Sequence, residues 1–391
     1  MMGTSRKGRR ENDHTIEAIA RDMNLKEGEE AVRRILAEVH RRGKVGTKDL
    51  AKGARLPTPV AAAIRRELEK RGVLARKGGA VLTEKGREYV EGVLGFSKAT
   101  EVDDGEASIR VQALSDDHLK VLDKLREFSK LRPMPSMLLD QAFATPETAL
   151  KRTLYMMREG DLVGREVLFL GDDDFTSVAS ALLGVAQGIT VLDVDERLLN
   201  TISDISVKEG LGLECVLHDL REPLPPNLKG RFDVVLTDPP YTVPGLRLFL
   251  SRAIEALKPR KTASIYAAFA DKPPLEMLEV HREITGMGMF VRELIPRFNE
   301  YEGAEIFANT TSMMRLTTTE ATKPAITGVF QGKMYTGEVR PTMRVYRCRC
   351  GERIEVGTGR GYTTVEELKA RGCPSCGSHE GFRLQRRVRT G

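Results

Sequence analysis

Residues 167–184 read VLFLGDDDFTSVASALLG, and this stretch decides the fold. Its first four residues are large and apolar, which predicts a buried β-strand, and the small residues after Thr176 predict a helix. A strand, a tight turn and a helix in this order are typical of a nucleotide-binding α/β domain. The turn is unusual because Gly171 is followed by Asp172, Asp173 and Asp174. These carboxylates would repel a phosphate group placed at the turn.

Strand and helix patterns alternate from residue 166 onward. Strands are predicted at 166–171, 188–195, 213–219, 232–238 and 262–270, and helices at 176–184, 195–209 and 244–258. This alternation predicts a doubly wound, mainly parallel sheet. Two further strands, at 289–298 and 304–318, are joined by the short link NEYEG and are expected to pair antiparallel. We therefore predict an α/β fold, with a Rossmann-like, class I methyltransferase-type domain at 161–322.

The rest of the chain predicts a second domain, a connector and polar ends. Residues 1–27 are basic and expected to be disordered, and 98–160 are expected to form a connector and helices. A helix, a helix-turn-helix and a hairpin within 28–97 predict a winged helix. DNA binding there would use the basic side chains of Arg65, Arg66, Lys70, Arg71, Lys77 and Lys85. We favour a docking or dimerisation role, because the chemistry-bearing residues lie elsewhere.

Composition is that of a globular protein, with 40% hydrophobic and 30% charged residues. No apolar run reaches the roughly 18 residues that span a bilayer, and the N-terminus lacks the apolar core of a secretory signal. We expect a cytoplasmic protein with no membrane partner. A net charge of +6 does not by itself indicate a nucleic-acid partner. Abundant Glu, Lys and Arg beside scarce Asn and Gln are typical of thermophiles.

Acidic residues follow the other parallel strands as well. Asp193 and Asp195 end the second strand, Asp219 the third and Asp238 the fourth. Ligands of open α/β sheets bind outside the carboxyl ends of the strands, so these acids predict a shared pocket instead of separate solvated helix caps. Asp193 is expected to accept the ribose hydroxyls, with Asp195 beside it, and Asp219 an adenine amino group. Gly171 completes the predicted nucleoside-binding set.

The fourth strand runs into the turn Asp238-Pro239-Pro240-Tyr241-Thr242. In enzymes that methylate amino groups of nucleic acids, a turn of this type hydrogen-bonds the amine under attack. The plainer interpretation is a strand-ending turn in which two prolines fix φ. The sequence has neither GxGxxG nor GxxxxGK[ST], so we expect a nucleoside that carries positive charge, such as S-adenosylmethionine. The three aspartates oppose its carboxylate and suit decarboxylated S-adenosylmethionine, which keeps only the ammonium group.

The motifs together resemble a known family. FLGDDDFTS at 169–177, DPPYT at 238–242 and DQAFATPETALKR at 140–152 are similar to the branched-chain polyamine synthases, the N(4)-bis(aminopropyl)spermidine synthases. The likeness covers roughly residues 30–320. It implies that the central secondary amine of spermidine attacks the aminopropyl carbon of decarboxylated S-adenosylmethionine, and that 5′-methylthioadenosine leaves. A second round would give a quaternary nitrogen.

The resemblance also implies roles for single residues. Alignment with the GGGDG turn of the linear polyamine synthases places Asp174 on the aspartate that contacts the amine. We expect Asp174 to be the base that accepts the amine proton, with Asp238 as the second candidate. Tyr241 is expected to contact the polyamine through its ring face. The remaining predicted substrate contacts are Asp172, Asp173, Thr242, Glu300 and Glu302. For the two glutamates a solvated turn is the plainer interpretation, because a charge run between two strands is more often that.

Four cysteines near the C-terminus, within 340–391, form two close pairs. Cys348 and Cys350 are separated by one residue, and Cys373 and Cys376 by two. Four thiolates in two pairs predict a zinc-ribbon-like extension with a closed structural zinc, although CxC departs from the usual CxxC. Free thiols are the alternative. This extension goes beyond the family pattern, and its basic tail is either a solvated end or an RNA contact.

Two other functions compete with aminopropyl transfer. An S-adenosylmethionine-dependent methyltransferase acting on amines of nucleic acids would use the DPPY turn, the winged helix and the cysteine cluster. The three aspartates argue against it, because they repel both the donor carboxylate and a nucleic-acid backbone. A regulator that senses a polyamine or nucleoside without catalysis would not need the DPPYT turn. On family grounds, a homodimer through the N-terminal domain is expected.

Overall fold

The computed structural model describes residues 15–96, 114–260, 262–302, 310–339, 342–357, 360–362 and 365–389. None of the helices in these ranges is long and apolar enough to cross a membrane. The expected disorder of residues 1–14 and the extended connector at 98–113 lie outside the described residues.

The N-terminal domain consists of short helices and one hairpin. Its elements are α1 (Ile16–Asp22), α2 (Glu29–Arg42), α3 (Thr47–Gly53), α4 (Thr58–Lys70), β1 (Leu74–Arg76), β2 (Ala80–Leu82) and α5 (Glu84–Glu88), which continues into a π-helical turn (Tyr89–Val93). β1 and β2 pair antiparallel. The helices and hairpin follow the predicted order, and the winged helix stays a prediction.

The expectation of disorder is wrong for residues 15–27. Thr15 caps α1 by accepting a hydrogen bond from the Ala18 backbone N–H. Ile16 and Ile19 are buried in a core shared with α2. The Ile16 backbone N–H also donates to the Tyr89 hydroxyl at 3.0 Å. An apolar face of this kind gives a short segment enough burial to stay folded, despite its polar composition.

A seven-stranded sheet forms the second domain. Its elements are α6 (Asp116–Ser129), α7 (Pro146–Arg158), β3 (Glu166–Leu170), α8 (Thr176–Leu182), β4 (Gly188–Asp193), α9 (Glu196–Glu209), β5 (Glu214–Leu217), β6 (Val234–Thr237), α10 (Val243–Ala256), β7 (Ser264–Phe269), α11 (Pro274–Gly286), β8 (Phe290–Glu300) and β9 (Thr310–Thr317). The strand order is β5-β4-β3-β6-β7-β9-β8. The first five strands are parallel and β9 and β8 antiparallel, as predicted.

Strand order brings the acidic residues to one edge. The order reverses between β3 and β6, because the chain first builds outward to β5 and then returns to the other side of β3. That reversal opens a crevice at the carboxyl ends of the central strands, where ligands bind in such sheets. The predicted acids follow these strand ends directly; Asp172 comes two residues after β3 and Asp238 immediately after β6.

The last strands differ from the expectation in one respect. A turn was expected at 299–303, but β8 continues through Asn299 and Glu300, which pair with Thr311 and Thr310. The pairing register shifts between Ile295 and Asn299, where Arg297 has a positive φ of 51°. A bulge of this kind bends a strand and redirects its side chains. Residues 304–309 of the following predicted strand, 304–318, lie outside the described residues.

A small C-terminal module follows, which we call the cysteine module (residues 342–389). It contains β10 (Thr342–Arg347), β11 (Arg353–Val356), α13 (Val365–Arg371) and β12 (Arg383–Arg389), and α12 (Thr336–Val339) precedes it. The three strands form an antiparallel sheet in the order β11-β10-β12. Its core is separate and consists of Tyr346, Cys348, Ile354, Val356, Leu368 and Cys373.

Candidate active site

The turn after β3 is held by backbone geometry. Gly171 has a φ of +72°, and a Cβ there would lie 3.9 Å from an Asp193 carboxylate oxygen. The Asp172 carboxylate turns inward and accepts the backbone N–H groups of Thr176 and Ser177 at 2.9 and 3.1 Å, at the start of α8. Burial raises the pKa of Asp172 to about 8 even though these hydrogen bonds oppose the shift. Asp172 therefore caps α8 and fixes the turn.

Asp173 points away from this framework. Within the described part of the chain its carboxylate has no hydrogen-bond or ion-pair partner, although it is half-buried. Burial, and then the neighbouring carboxylates of Asp174 and Asp238, raise the pKa of Asp173 well above its ordinary value. A half-buried carboxylate without a partner is costly, so this position is suited to a cationic ligand.

A buried arginine joins the first and fourth strand ends. Arg152, on α7, donates to Asp174 at 2.5 Å and to Asp238 at 2.6 Å. Its other donors reach the Asn299 amide oxygen at 2.8 Å and the Tyr301 hydroxyl at 2.9 Å. Burial alone would lower the pKa of Arg152, but the surrounding acidic groups raise it. We call these five residues the arginine network.

Asp174 and Asp238 both contact Arg152, but they differ in exposure and in their other hydrogen-bond partners. Asp174 is 2% exposed, and its second oxygen accepts the Ala144 backbone N–H. The side chain of Asp238 is 11% exposed, and among the described residues its second oxygen accepts a hydrogen bond only from the Tyr241 hydroxyl, at 2.9 Å. Burial raises the pKa of Asp238, although Arg152 opposes the shift. Asp238 is thus the more accessible and Asp174 the more constrained of the two.

Tyr241 closes one side of the crevice. Its ring packs edge-on against Phe269, with centroids 5.6 Å apart. The Lys272 ammonium nitrogen lies 5.9 Å from the centroid of the Tyr241 ring. Burial raises the pKa of Tyr241 well above its ordinary value, and so does the neighbouring Asp238. The phenol therefore stays protonated and can donate to Asp238.

The predicted nucleoside residues lie along β4 and β5. Asp193 is buried and accepts the backbone N–H groups of Asp172 and Asp195, at 3.2 and 2.8 Å. Asp195 caps α9 and also accepts the Arg197 guanidinium at 2.7 Å, which lowers the pKa of Asp195. Asp219, after β5, is half-buried and accepts the Arg221 backbone N–H at 2.9 Å. The structure brings these three acids to the same edge of the sheet as the turn after β3.

Three of the predicted substrate contacts lie outside the group of buried acids. The Thr242 hydroxyl accepts the Gly245 backbone N–H at 3.0 Å and donates to the Met334 carbonyl, so it caps α10. Glu300 and Glu302 are exposed. Successive side chains of an extended chain point to opposite faces, so the two glutamates point away from the face on which Tyr301 contacts Asp238.

Sequence reasoning missed the centre of the arginine network. Arg152 lies within the DQAFATPETALKR motif, yet it reads there as one more solvent-facing cation of an amphipathic helix. Asn299 and Tyr301 come from a segment that was predicted as a turn. The available signal was the number of acids at adjacent strand ends, since buried carboxylates require a buried cation or protonation.

The four C-terminal cysteines come together in the cysteine module. Their sulfur atoms all lie within 4.8 Å of one another, with Cys348 and Cys376 at 3.6 Å and Cys350 and Cys373 at 3.8 Å. Tetrahedral zinc with Zn–S bonds of about 2.3 Å places its sulfur ligands about 3.8 Å apart. The donor set and its spacing fit a closed structural zinc site.

Comparison with known proteins agrees with this arrangement. The family model for the branched-chain polyamine synthase A C-terminal domain matches residues 120–349. An uncharacterized protein of Methanocaldococcus jannaschii is 42% identical over 341 residues, which are 87% of this chain and 86% of that protein. The N(4)-bis(aminopropyl)spermidine synthase of Thermococcus kodakarensis is 36% identical over 251 residues, 63% of this chain and 70% of that enzyme.

A solved structure shares the architecture. The branched-chain polyamine synthase of Thermus thermophilus, in complex with N4-aminopropylspermidine and 5′-methylthioadenosine, has a TM-score of 0.53 and 25% sequence identity. The alignment covers 82% of this chain and 97% of that one. The family match ends at residue 349, so most of the cysteine module lies beyond it. The matched region contains the turn after β3, the arginine network and the DPPYT turn, and the chain belongs to the branched-chain polyamine synthase A family.

Proposed function

We propose that the protein transfers aminopropyl groups from decarboxylated S-adenosylmethionine to the central secondary amine of spermidine or a related polyamine. The unpartnered carboxylate of Asp173 carries this proposal, because it lies among further buried acids and requires a cation. The products named for the Thermus thermophilus structure, an aminopropylated spermidine and 5′-methylthioadenosine, match that chemistry.

The donor is selected by charge. A carboxylate on the donor at about 4 Å from Asp173 would be opposed by about 4 kcal/mol at an effective dielectric constant of 20. Asp174 and Asp238 add to this repulsion, and Arg152 offsets only part of it. A donor whose arm ends in an ammonium group is attracted by the same residues. The adenosine part is assigned to Asp193, Asp195 and Asp219, together with the open backbone at Gly171.

The reaction needs a nitrogen lone pair and a leaving sulfur. The central nitrogen attacks the aminopropyl carbon next to the sulfonium, the C–S bond breaks, and its electron pair remains on sulfur as 5′-methylthioadenosine is released. The attacking nitrogen starts as an ammonium ion, and its proton passes to a carboxylate. A second transfer to the tertiary amine gives a quaternary nitrogen.

We assign the proton acceptor to Asp238 ahead of Asp174, the reverse of the order that the sequence favoured. The pKa of Asp238 is raised, which suits a base working near neutral pH. Asp238 is also the more exposed of the two carboxylates. Asp174 holds Arg152 in place, and Tyr241 orients the oxygen of Asp238 that faces the crevice.

The remaining predicted residues have supporting roles. Asp172 places Asp173 by capping α8, and Thr242 fixes the start of α10. Glu300, at the end of β8, and Glu302, just beyond it, are exposed and point away from Asp238, so their predicted contacts would be to distal ammonium groups of a long polyamine outside the crevice. Zinc, held by the four cysteines, would serve as a structural ion of the cysteine module and take no part in the reaction.

Turnover with matched donors tests this function. Purified protein is incubated with spermidine and either decarboxylated or intact S-adenosylmethionine, and the products are identified by mass spectrometry. Aminopropylated spermidine with 5′-methylthioadenosine, formed from the decarboxylated donor only, is expected. Methylated product from the intact donor and none from the decarboxylated donor would instead indicate the nucleic-acid methyltransferase.

A further inference from the structure

The sheet of the cysteine module carries a row of arginines across all three strands. Arg347 on β10 lies directly opposite Arg353 on β11 and opposite Arg383 on β12. All three residues are exposed. Directly opposed residues of antiparallel strands project on the same face. The core residues Tyr346 and Ile354 alternate with them, so this arginine row lies on the face away from the cysteines.

We propose that the arginine row binds the phosphodiester backbone of single-stranded RNA, separately from the reaction at the strand ends of the large sheet. Like charges directly opposite each other in a sheet destabilise it. Three such residues in one register weaken the sheet through their mutual repulsion, and an anion bound across them would relieve it.

Neighbouring acids do not neutralise the arginine row. Glu355, which follows on the same face of β11, forms an ion pair with Arg360 at 3.1 Å. Glu352 accepts a hydrogen bond from the Ser375 hydroxyl. In the described part of the module, Arg347, Arg353 and Arg383 form no ion pair. Their guanidinium groups remain available for bidentate contacts to phosphate oxygens.

The module is basic as a whole. Residues 342–389 contain eleven Lys and Arg and five Asp and Glu, a net charge of +6 before four cysteine thiolates and one zinc ion, which together would contribute about −2. The whole chain has the same net charge of +6, so the rest of the protein is neutral on balance. Residues 15–96 carry the same net charge of +6, with eighteen Lys and Arg and twelve Asp and Glu, so it is the register of the arginine row and not net charge alone that favours a polyanion at the module. The acidic active site, by contrast, repels one.

Sheet geometry favours a single strand over a duplex. Adjacent strands lie about 4.8 Å apart, so the outer arginines are about 10 Å apart at the backbone, before their side chains are added. The major groove of DNA is about 12 Å wide and accepts a helix or a two-stranded ribbon. The only helix that the described module contains, α13, has seven residues and contributes Leu368 to the module core. A flat face of three strands is suited to a flexible, exposed backbone.

Salt dependence gives the expected size of the effect. Each phosphate contact on a single strand contributes a slope of about −0.7 to the dependence of log K on log salt. Three contacts correspond to a slope of about −2, which is a loss of about 20-fold in affinity between 50 and 200 mM salt.

Fluorescence anisotropy with a labelled 20-nucleotide RNA tests the proposal on the full-length, zinc-loaded protein. The triple variant Arg347→Gln, Arg353→Gln, Arg383→Gln is expected to bind at least about tenfold more weakly at 50 mM salt and to lose about two units of salt slope. The triple Arg→Lys variant at the same positions keeps the charges and should keep most of the slope. Zinc content and the melting temperature verify that each variant is folded.

A matched control removes the same charge from the N-terminal domain. Arg66→Gln, Lys70→Gln, Lys77→Gln changes three exposed cations of the predicted winged helix and is expected to leave RNA affinity unchanged. The proposal is overturned if the arginine-row variant binds RNA as tightly as the unmodified protein. Loss of binding in the control variant, or tighter binding of a duplex DNA of the same length, would equally contradict it.

Discussion

Asp173→Asn separates the function of the acidic turn from its contribution to folding. The substitution removes one negative charge and changes the side-chain volume little. Asp173 has no partner in the described structure, so no buried hydrogen bond is lost. We therefore expect activity and stability to change in opposite directions.

The loss of activity follows from the charge. An ammonium group at about 4 to 6 Å from the carboxylate gains about 3 to 4 kcal/mol at an effective dielectric constant of 20, before screening by salt. In the variant, solvent and the neighbouring acids still stabilise the ammonium group in part. We therefore expect a net loss of about 2 to 3 kcal/mol of binding free energy. That corresponds to a decrease in kcat/KM for decarboxylated S-adenosylmethionine of about 30- to 150-fold.

The gain in stability follows from the raised pKa of Asp173. Its folded pKa lies above its unfolded value, so its contribution to stability is complete below the unfolded pKa and is lost as the pH rises towards the folded pKa. Asparagine does not ionise. The melting temperature of the ligand-free variant should therefore rise relative to the unmodified protein as the pH increases from 4 to 8.

Steady-state kinetics and thermal melts across this pH range measure both effects. Asp204→Asn is the matched control, because Asp204 is exposed on α9 and the same chemical change there should alter neither quantity. The reasoning fails if Asp173→Asn retains normal kcat/KM, or if it melts at a lower temperature than the unmodified protein at pH 8.

Three further predictions test other parts of the structure. Asp174→Asn leaves the buried Arg152 without one of its two carboxylates and should lower the free energy of unfolding by about 3 kcal/mol, measured by urea titration. Tyr241→Phe removes a hydrogen bond to the ionised form of Asp238, so the acidic limb of the kcat profile should move to higher pH while donor affinity is unchanged. Cys373→Ser should abolish binding of one zinc per chain, measured by metal analysis, but leave spermidine turnover within about twofold.

The strands and helices of the large sheet could be predicted from sequence periodicity, because each of them is recognised from its own residues. Apolar strands and amphipathic helices alternate, and each acid that follows a strand is carried to the same edge by parallel topology. Asp173, Asp193 and Asp238 could thus be placed near one another without a structure. The helix at Ile16–Asp22 was not predicted, since its burial depends on tertiary contacts with α2 and with Tyr89, which is distant in sequence.

The arginine network shows why the sequence could predict that the acids lie close together but could not predict the role of each one. In the proposed mechanism, the choice between Asp174 and Asp238 as the base follows from their different contacts around Arg152. One of these contacts, from Tyr301 to Asp238, comes from just beyond the end of β8, after the bulge near Arg297. The bulge is set by pairing with β9, and no periodicity reports it. A sequence therefore predicts the net charge of such a site more reliably than the proton affinity of any one carboxylate. In the proposed mechanism, net charge selects the donor, and the proton affinities that depend on the buried cation select the base.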